Sequence, residues 1–325
     1  MKFLLTAINA KFIHSNPAIY SLRAGVGEKL QPYVELAEFT INESLESILE
    51  GIWKRQPKVI GFSCYIWNWK LIREILTELP KILPDTEIWL GGPEVTYDGP
   101  GLLREFPQVT GIMVGEGEVT FREVLDHYVR EAESTGQSEQ QPEPDSIEQQ
   151  AADRTGTVAG KSVAERFGQI SGLCLASGYT APRELTDLTT LPFLYEDMEP
   201  FTNRIIYYET SRGCPYRCSY CLSSIDKKVR LRDIDVVKRE LQFFLDQNVK
   251  QVKFIDRTFN CDHKHAMEIW RYIYEHDNGV TNFHFEISAD ILREEEIALL
   301  NRFRPGLAQL EIGVQSTNPE TIRAI

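Results

Sequence analysis

Apolar and polar positions follow two distinct patterns along the amino-terminal part of the chain. Short apolar runs, such as VIGFSC within Lys58–Cys64, are typical of strands that are buried on both faces. Between these runs lie segments such as Glu43–Trp53, in which apolar residues recur at the spacing of an amphipathic helix. The predicted strands are Phe3–Ile8, Val34–Thr40, Lys58–Cys64, Glu87–Leu90 and Val109–Val114. Their alternation with helices predicts a doubly wound, parallel α/β sheet over residues 1–131.

The composition changes abruptly after this first region. Ser134–Ser162 is rich in Gln, Glu, Ser, Gly and Pro and holds few large aliphatic residues. Such a segment cannot bury enough apolar surface to offset the entropy that it would lose on ordering. We therefore expect residues 132–167 to form a disordered, acidic and polar linker.

A hairpin and a connector are predicted at residues 168–203. The arms would be Gln169–Ala176 and Tyr179–Leu185, joined by the glycine-containing turn Ser177-Gly178. Pro182 lacks an amide hydrogen, so the second arm can only be an edge strand.

A second alternation of strands and helices occupies residues 204–325. The predicted strands are Ile205–Thr210, Gln251–Asp256, Asn282–Ser288 and Ala308–Gln315. The helical spacing between them is found at Ile234–Leu245, His263–Tyr274 and Glu294–Phe303. This part of the chain also reads as repeated βα units.

Charge and length narrow the class of protein. The chain has 325 residues, with 35 basic and 48 acidic side chains, hence a net charge of −13. This balance argues against a nonspecific nucleic-acid binder. No apolar run approaches the ~20 residues that span a bilayer, and no signal peptide is evident. We expect a cytoplasmic protein with no membrane partner and no evident nucleic-acid partner.

Three of the six cysteines are clustered with the spacing C-x₃-C-x₂-C, at Cys214, Cys218 and Cys221. In a reducing compartment such clusters are more often metal ligands than disulfides. Three thiolates could hold three irons of a [4Fe–4S] cube and leave the fourth iron open. A zinc site is the alternative, with its fourth ligand drawn from Cys261, His263 or His265. Incidental cysteines are a third possibility, and Cys64, Cys174 and Cys261 are expected to be ordinary small apolar residues.

The cysteine segment resembles the signature of the radical S-adenosylmethionine (SAM) enzymes. That signature is C-x₃-C-x-(aromatic)-C, and Tyr220 supplies the aromatic residue after a strand, IIYYET, that leads into SRGC. The resemblance implies a partial (βα) barrel in which the three cysteines bind a [4Fe–4S] cluster. Its open iron would chelate SAM, and one electron would cleave SAM to methionine and a 5′-deoxyadenosyl radical. Tyr220 would lie near the adenine.

Further SAM contacts are implied with less support from the motif. The family places a G-G-E-like turn where this chain has Ile255–Phe259, so a contact at Asp256 rests on position alone. Strand alternation would place Glu286 with Ser288, and Glu311 with Gln315, on faces directed into the barrel. These side chains would then bind SAM. The alternative is that the carboxylates pair structurally with Arg257 or Arg302.

The first region resembles the cobalamin-binding domain, of flavodoxin- or Rossmann-like fold, that precedes many radical SAM domains. The segments that carry the likeness are IGFSCYIWNW, WLGGPEVTYDG and GIMVGEGEVTF. The resemblance implies cobalamin contacts from an aromatic loop and two glycine turns, namely Tyr65, Trp67, Gly91, Gly92, Gly115 and Gly117. A packed loop and plain turn chemistry are the alternatives. The D-x-H-x-x-G motif is absent, and His14 lacks its flanking residues, so the lower cobalt ligand is unassigned.

These resemblances together predict a cobalamin-dependent radical SAM enzyme that performs methyl transfer, or related radical chemistry at carbon, on an unknown substrate. An electron donor such as flavodoxin or ferredoxin is implied, and no catalytic residue is assigned. Methylthiotransfer is disfavoured, because that family has three further cluster cysteines in a region where this chain has only Cys64. A non-catalytic cobalamin or Fe–S sensor and a zinc-binding structural module remain alternatives. Four barrel strands are predicted where the family has six, so we expect a carboxyl-terminally truncated chain with weak or absent turnover.

Overall fold

The computed structural model describes residues 1–135, 161–226 and 228–324. It divides the chain into two compact units, Met1–Thr186 and Asp187–Ile325. The predicted hairpin falls in the first unit, and the predicted connector is shared between the two. In the described ranges no helix is long and apolar enough to cross a membrane.

The first unit is built on a sheet with the strand order β2-β1-β3-β4-β5-β6-β7. Its strands are β1 (Phe3–Asn9), β2 (Val34–Thr40), β3 (Val59–Ser63), β4 (Glu87–Gly91), β5 (Val109–Met113), β6 (Leu173–Leu175) and β7 (Gly178–Tyr179). The pairs among β1 to β5 are parallel, which confirms the predicted doubly wound sheet. The order reverses between β1 and β3, and such sheets bind ligands at the carboxyl ends of the strands beside this switch point.

Helices cover both faces of this sheet. They are α1 (Pro17–Gly25), α2 (Leu45–Trp53), α3 (Trp69–Ile82), α4 (Pro93–Thr96), α5 (Gly99–Glu105), α6 (Gly117–Thr135) and α7 (Val163–Phe167). Successive residues of β1 enter opposite cores. Leu4 packs with Ile48 and Ile72 of α2 and α3. Phe3 packs with Phe121 of α6, in an edge-to-face contact with ring centroids 5.0 Å apart. The unbroken apolar runs therefore reflect burial on both faces.

The hairpin is shorter than predicted and joins the first sheet. β6 pairs antiparallel with β5, and the turn is Ala176-Ser177 rather than Ser177-Gly178, because Leu175 lies opposite Gly178. Gly178 adopts φ +117°, a backbone conformation that glycine tolerates and other residues rarely adopt. The second arm ends at Tyr179, before Pro182 could interrupt its hydrogen bonds.

The predicted linker is too wide at both ends. α6 continues to Thr135, and α7 begins at Val163 behind a capping box formed by Ser162 and Glu165. α7 is ordered because Phe167 is buried in the first core and Arg166 is buried among acidic side chains. The rest of the predicted linker, residues 136–160, lies outside the described residues.

The second unit contains a parallel sheet with the order β13-β12-β11-β8 and a separate antiparallel pair, β9 and β10. The strands are β8 (Ile206–Tyr208), β9 (Ser211–Arg212), β10 (Arg230–Leu231), β11 (Gln251–Phe254), β12 (Asn282–Ile287) and β13 (Ala308–Ile312). The helices are α8 (Ile234–Asp246), α9 (His263–Glu275), α10 (Glu294–Leu300) and α11 (Pro319–Ala324). The four predicted strands form, but each parallel strand ends one to three residues before its predicted end.

The two faces of this second sheet differ in chemistry. One face packs Phe254 and Phe285 against Trp270 of α9, through a chain of close ring contacts. The other face carries Lys253 and His284, which lie opposite each other in the β11–β12 register. Strand alternation thus separates an aromatic core from a polar face.

Candidate functional site

The three clustered cysteines lie on a loop whose two ends are paired. β9 precedes the loop and β10 follows it, with Arg212 opposite Arg230 and Ser211 opposite Leu231. The turn into the loop requires glycine at position 213, which adopts φ +94°. A Cβ atom there would lie 2.5 Å from the carbonyl oxygen of Lys228. The fold therefore holds the base of the loop at the carboxyl end of β8.

The cysteines differ in their surroundings. Cys214 is buried, and its backbone N–H donates to the carbonyl oxygen of Asp226 at 3.0 Å. Cys218 and Cys221 are half-buried, and the N–H of Cys221 donates to the carbonyl oxygen of Cys218 at 3.1 Å in a tight turn. All three are free thiols. Cys214 is thus fixed at the base of the loop, and the other two lie nearer the solvent.

The donor chemistry of this loop suits an iron–sulfur cluster, since three thiols lie within eight consecutive residues. Throughout residues 1–135, 161–226 and 228–324, no three His, Cys, Asp or Glu side chains are already gathered to hold a metal ion. The zinc alternative has no preformed ligand set in these ranges either. His263 instead lies with its Nδ1 2.8 Å from Glu296 Oε1.

Asp256, predicted to contact a cofactor, is 1% exposed and directs both carboxylate oxygens to the protein. Oδ2 accepts the backbone N–H of Thr210 at 3.0 Å, and Oδ1 accepts the hydroxyls of Thr210 and Ser211 at 2.6 Å each. Burial raises the pKa of Asp256 although these donors favour its charged form. The carboxylate ties the end of β11 to the residues just before the cysteine loop. A direct cofactor contact at Asp256 stays a prediction.

Glu286 and Glu311 lie opposite each other in the β12–β13 register and share a partner. Lys253 Nζ lies 2.9 Å from Glu311 Oε2 and 3.5 Å from Glu286 Oε1. The predicted alternative partners, Arg257 and Arg302, are wrong, because the strand register places Lys253 on the same face. Although burial opposes it, the contacts with the two carboxylates raise the pKa of Lys253.

His284 completes this group of side chains on the polar face. Its Nε2 lies 3.0 Å from Glu311 Oε2. Burial, and then the charge of Lys253, lower the pKa of His284 despite the nearby carboxylates. Since its ordinary pKa is near 6.5, we take His284 as neutral at pH 7. The group then carries one positive and two negative charges.

Two further predicted contacts lie outside the strands. Ser288 follows β12, and its hydroxyl donates to Asp290 Oδ1 at 2.6 Å. Gln315 lies beyond β13, which ends at Ile312, so strand alternation does not place it on one face with Glu311. That part of the prediction is wrong. Tyr220 is 58% exposed and lies beside Cys218 and Cys221 on the loop.

Loops at the carboxyl ends of the first sheet expose apolar side chains. We call Phe12, Ile13, Ile66 and Trp67 the apolar rim; Phe12 and Ile13 follow β1, and Ile66 and Trp67 follow β3. Ile66 is 80% exposed and Trp67 47% exposed. The rings of Tyr65 and Trp67 stack, with centroids 4.4 Å apart and an angle of 9° between them. Exposed apolar groups around a switch point suit a large, flat, partly apolar ligand.

The glycines predicted to contact cobalamin differ in the space that surrounds them. Gly92 adopts φ +111°, and a Cβ there would lie 2.5 Å from the carbonyl oxygen of Cys64, so packing alone requires glycine. At Gly117 a Cβ would lie 2.9 Å from Leu22, and at Gly91 it would make an ordinary contact with Met113. Gly115 adopts φ +82° with nothing within 4 Å of a built Cβ. Of these positions, Gly115 is the one that opens onto free space.

Comparison with known protein families supplies the identity of the two regions. The model of the B12 binding domain matches residues 4–125. The model of the radical SAM superfamily matches residues 208–325, including the cysteine loop. The chain contains a B12-binding domain followed by a radical SAM domain. This confirms the resemblances that the motifs indicated.

Named relatives share part of this chain. The cobalamin-dependent radical SAM methyltransferase TokK of Streptomyces tokunonensis is 28% identical over 215 residues, which cover 63% of this chain and 28% of TokK. The uncharacterized methyltransferase PH0819 of Pyrococcus horikoshii is 26% identical over 229 residues, covering 70% of this chain and 45% of that protein. The chain therefore spans less than half the length of either relative.

Solved structures share the fold of this radical SAM protein. The cobalamin-dependent enzyme OxsB with aqua-cobalamin bound has a TM-score of 0.70 at 16% identity, covering 98% of this chain and 45% of OxsB. TsrM of Kitasatospora setae, with cobalamin and a [4Fe–4S] cluster bound, has a TM-score of 0.65 at 18% identity, covering 98% and 62%. At identities this low, the structural similarity shows a shared fold and nothing about the reaction of this chain.

Three residues of this radical SAM protein were not predicted from the sequence; Asn68 and Thr258 are buried, and Lys253 is half-buried. Asn68, in the B12-binding domain, donates from Nδ2 to the carbonyl oxygens of Ile8 and Ser63, at 3.0 and 2.9 Å. Its Oδ1 accepts the N–H of Tyr65 at 2.8 Å and so shapes the aromatic loop. In the radical SAM domain, Lys253 and Thr258 face the predicted site. For Asn68, the one signal in the sequence was an Asn directly before the start of α3. Nothing in the sequence singled out Lys253 or Thr258.

Proposed function

We propose that this chain binds a [4Fe–4S] cluster, SAM and cobalamin, and that it takes part in radical-based methyl transfer. The observation that carries the proposal is the three-cysteine loop at the end of β8, whose cysteines form no disulfide. It lies in the same chain as a doubly wound sheet that presents an apolar rim at its ligand-binding edge. The family membership of both regions and the methyltransferase names of the relatives support it.

In the radical SAM domain, Cys214, Cys218 and Cys221 would hold the cluster, which supplies the electron that cleaves SAM. Tyr220 is exposed beside these ligands, so its ring is available to pack against the adenine. Glu286 and Glu311 outnumber their one cationic partner, Lys253, so the polar face keeps a net negative charge. That charge would attract the positively charged groups of SAM.

In the B12-binding domain, the apolar rim would contact the corrin. The stacked rings of Tyr65 and Trp67 offer a rigid, flat surface, and Asn68 fixes the loop that carries them. Gly115 leaves room for a close approach to the backbone. We assign no lower cobalt ligand, and the substrate of the reaction is unassigned.

Anaerobic reconstitution tests this proposal directly. The protein is treated with ferrous iron, sulfide and hydroxocobalamin, desalted, and analysed for iron, zinc, sulfide and its visible spectrum. We expect about four irons and four sulfides per chain, as a [4Fe–4S] cube requires. Reduced flavodoxin or dithionite with SAM should then yield 5′-deoxyadenosine. An iron-free, zinc-containing protein would overturn the proposal. Bound cofactors without SAM cleavage would favour a sensor.

Replacing Trp67 with alanine should weaken cobalamin binding without changing the iron content. Covering an aromatic side chain contributes about 1.5–3 kcal/mol, which corresponds to roughly a 10- to 100-fold change in the dissociation constant. The measurement is an absorbance titration with hydroxocobalamin. Trp53→Ala is the matched control, because Trp53 is similarly exposed, at 50%. It ends α2 and precedes β3, whereas Trp67 follows β3. Equal affinities in both variants would contradict a corrin contact at Trp67.

A further inference from the structure

The loop after β11 is anchored at both of its ends by buried side chains. At its start, the Asp256 carboxylate accepts hydrogen bonds from Thr210 and Ser211. Near its end, Asn260 Nδ2 donates to the carbonyl oxygen of Ser288 at 2.9 Å, and Asn260 Oδ1 accepts the Ser288 N–H at 2.9 Å. Both anchors are buried, at 1% exposed for Asp256 and 0% for Asn260. The residues between them are therefore held in a defined position.

Thr258 lies between these two anchors and touches a predicted cluster ligand. Its side chain is buried, and Oγ1 lies 3.5 Å from Cys214 Sγ. With a protonated thiol, either group could donate this hydrogen bond. A cysteine that ligates a metal has lost its proton, so the threonine hydroxyl would be the only donor of the pair. The geometry that the fold imposes thus points a hydroxyl group at the sulfur.

We propose that Thr258 donates a hydrogen bond to the Cys214 sulfur in the loaded protein and so raises the reduction potential of the cluster. The inference rests on the proposed function, since it requires a cluster on the cysteine loop. Reduction adds negative charge to the cluster and its sulfurs, and a hydrogen bond to a ligating sulfur stabilises that charge. Thr258 acts through Cys214 and is therefore a positioning residue.

The surrounding contacts favour this role over simple packing. Because the two anchors hold the loop, the Thr258 hydroxyl is positioned beside the Cys214 sulfur. Cys214 is also the most buried of the three cysteines, and a hydrogen bond is electrostatically stronger where water is excluded. A donor at this sulfur should thus affect the cluster more than one at the partly exposed Cys218 or Cys221.

Three substitutions test the role of the hydroxyl. Thr258→Val removes the O–H at nearly constant volume, Thr258→Ala removes it without crowding, and Thr258→Ser keeps it. Each reconstituted protein is titrated anaerobically with dithionite, and the reduced cluster is followed by electron paramagnetic resonance. Iron content and melting temperature are measured on the same samples. Thr202→Val is the control, since Thr202 is exposed and its hydroxyl donates to the carbonyl oxygen of Glu199 at 2.9 Å.

Without the hydroxyl, the cluster should be harder to reduce. At the poise where half of the native cluster is reduced, we expect the oxidised-to-reduced ratio to rise at least about threefold. For a one-electron couple this is a shift of about 28 mV to more negative potential, at 59 mV per tenfold. The serine variant and Thr202→Val should titrate like the native protein. If the valine variant does not fold, the alanine variant gives the same comparison.

The outcomes separate this inference from the function on which it rests. Unchanged potentials in iron-loaded valine and alanine variants would overturn it and leave the proposed function intact. Loss of the cluster in the serine variant would also overturn it, because the retained hydroxyl should preserve the site. A native protein that binds no iron would instead refute the proposed function.

Discussion

Reconstituted protein in which Cys214, Cys218 or Cys221 is replaced by serine should contain no stable [4Fe–4S] cluster. Each cysteine would supply one of three protein bonds to the cube, and serine is a poor substitute for a thiolate toward iron. Loss of a group that only hydrogen-bonds to a metal ligand typically lowers metal affinity or activity roughly 10- to 100-fold. Loss of a ligand should exceed this, so 5′-deoxyadenosine formation should fall by more than about 100-fold.

The matched control for this experiment is Cys261→Ser in the same unit. Cys261 follows the loop after β11 and is half-buried, but it lies outside the three-cysteine motif. We expect it to keep its iron. Burial, with smaller effects from Cys214 and Asp256, raises the pKa of the Cys261 thiol to about 11, so it is protonated at neutral pH in the metal-free protein. If Cys261→Ser loses metal as completely as Cys214→Ser, a four-ligand site is favoured over the open iron. Iron retained by all three motif variants would refute the cluster assignment.

Replacing Arg166 with methionine should strongly destabilise the first unit. The side chain is 2% exposed, and its guanidinium makes paired hydrogen bonds with Glu87, at 2.9 and 3.1 Å, and with Glu131, at 2.7 and 3.0 Å. It also lies over the rings of Tyr128 and Phe167, at 5.2 and 4.7 Å from their centroids. Removal takes the guanidinium away from both carboxylates, and leaves Glu87 with the Tyr128 hydroxyl and Glu131 with His127 as neighbours. Breaking such a buried group costs about 3–5 kcal/mol.

Urea unfolding followed by tryptophan fluorescence measures this loss. Arg130→Met is the control. Arg130 lies on α6 next to Glu131, but its side chain is 76% exposed and pairs with Asp126 on the same helix. Exposed pairs contribute about 0–1 kcal/mol, so this variant should unfold nearly like the native protein. If Arg166→Met is as stable as Arg130→Met, the buried ion group contributes little.

The same ion group predicts the direction of a pH effect. Although burial raises the pKa of Glu131, its hydrogen bonds and charge interactions with Arg166 lower it below the ordinary value of 4.5. A carboxyl with a lowered folded-state pKa stabilises the fold above its unfolded pKa, and this contribution is lost as the pH falls through the folded value. The free energy of unfolding should therefore decline below about pH 4.5, and less so in Arg166→Met. An equal decline in both proteins would contradict this cause.

Local patterns sufficed where the physical cause was itself local. β1 and β3 were predictable because a strand between two helical layers needs apolar residues on both faces, as VIGFSC shows. The cysteine loop was predictable because its three sulfur donors are only three and four residues apart. The hairpin was predicted with the wrong turn, because either of two adjacent dipeptides could form it and only pairing with β5 selects one.

Contacts between distant residues could not be predicted in this way. Asp256 meets donors 45 and 46 residues earlier, so its role as an anchor depends on β8 and β11 becoming neighbours. Strand alternation is consistent with Glu286 and Glu311 lying on the same face of the second sheet. It could not identify Lys253 as their shared partner, because that depends on the register between three strands. Gln315 was misplaced because strand pairing ends at Ile312.

The order of apolar runs and the spacing of the cysteines were enough to predict two α/β regions and a metal-binding loop in the second. Both follow from interactions among residues close in sequence, where periodicity and ligand spacing act directly. Tertiary structure alone decided which carboxylates are anchors, which cation they face, and that a threonine hydroxyl touches Cys214. Those features depend on hydrogen bonds and charges that act only over a few ångströms, between residues that folding brings together.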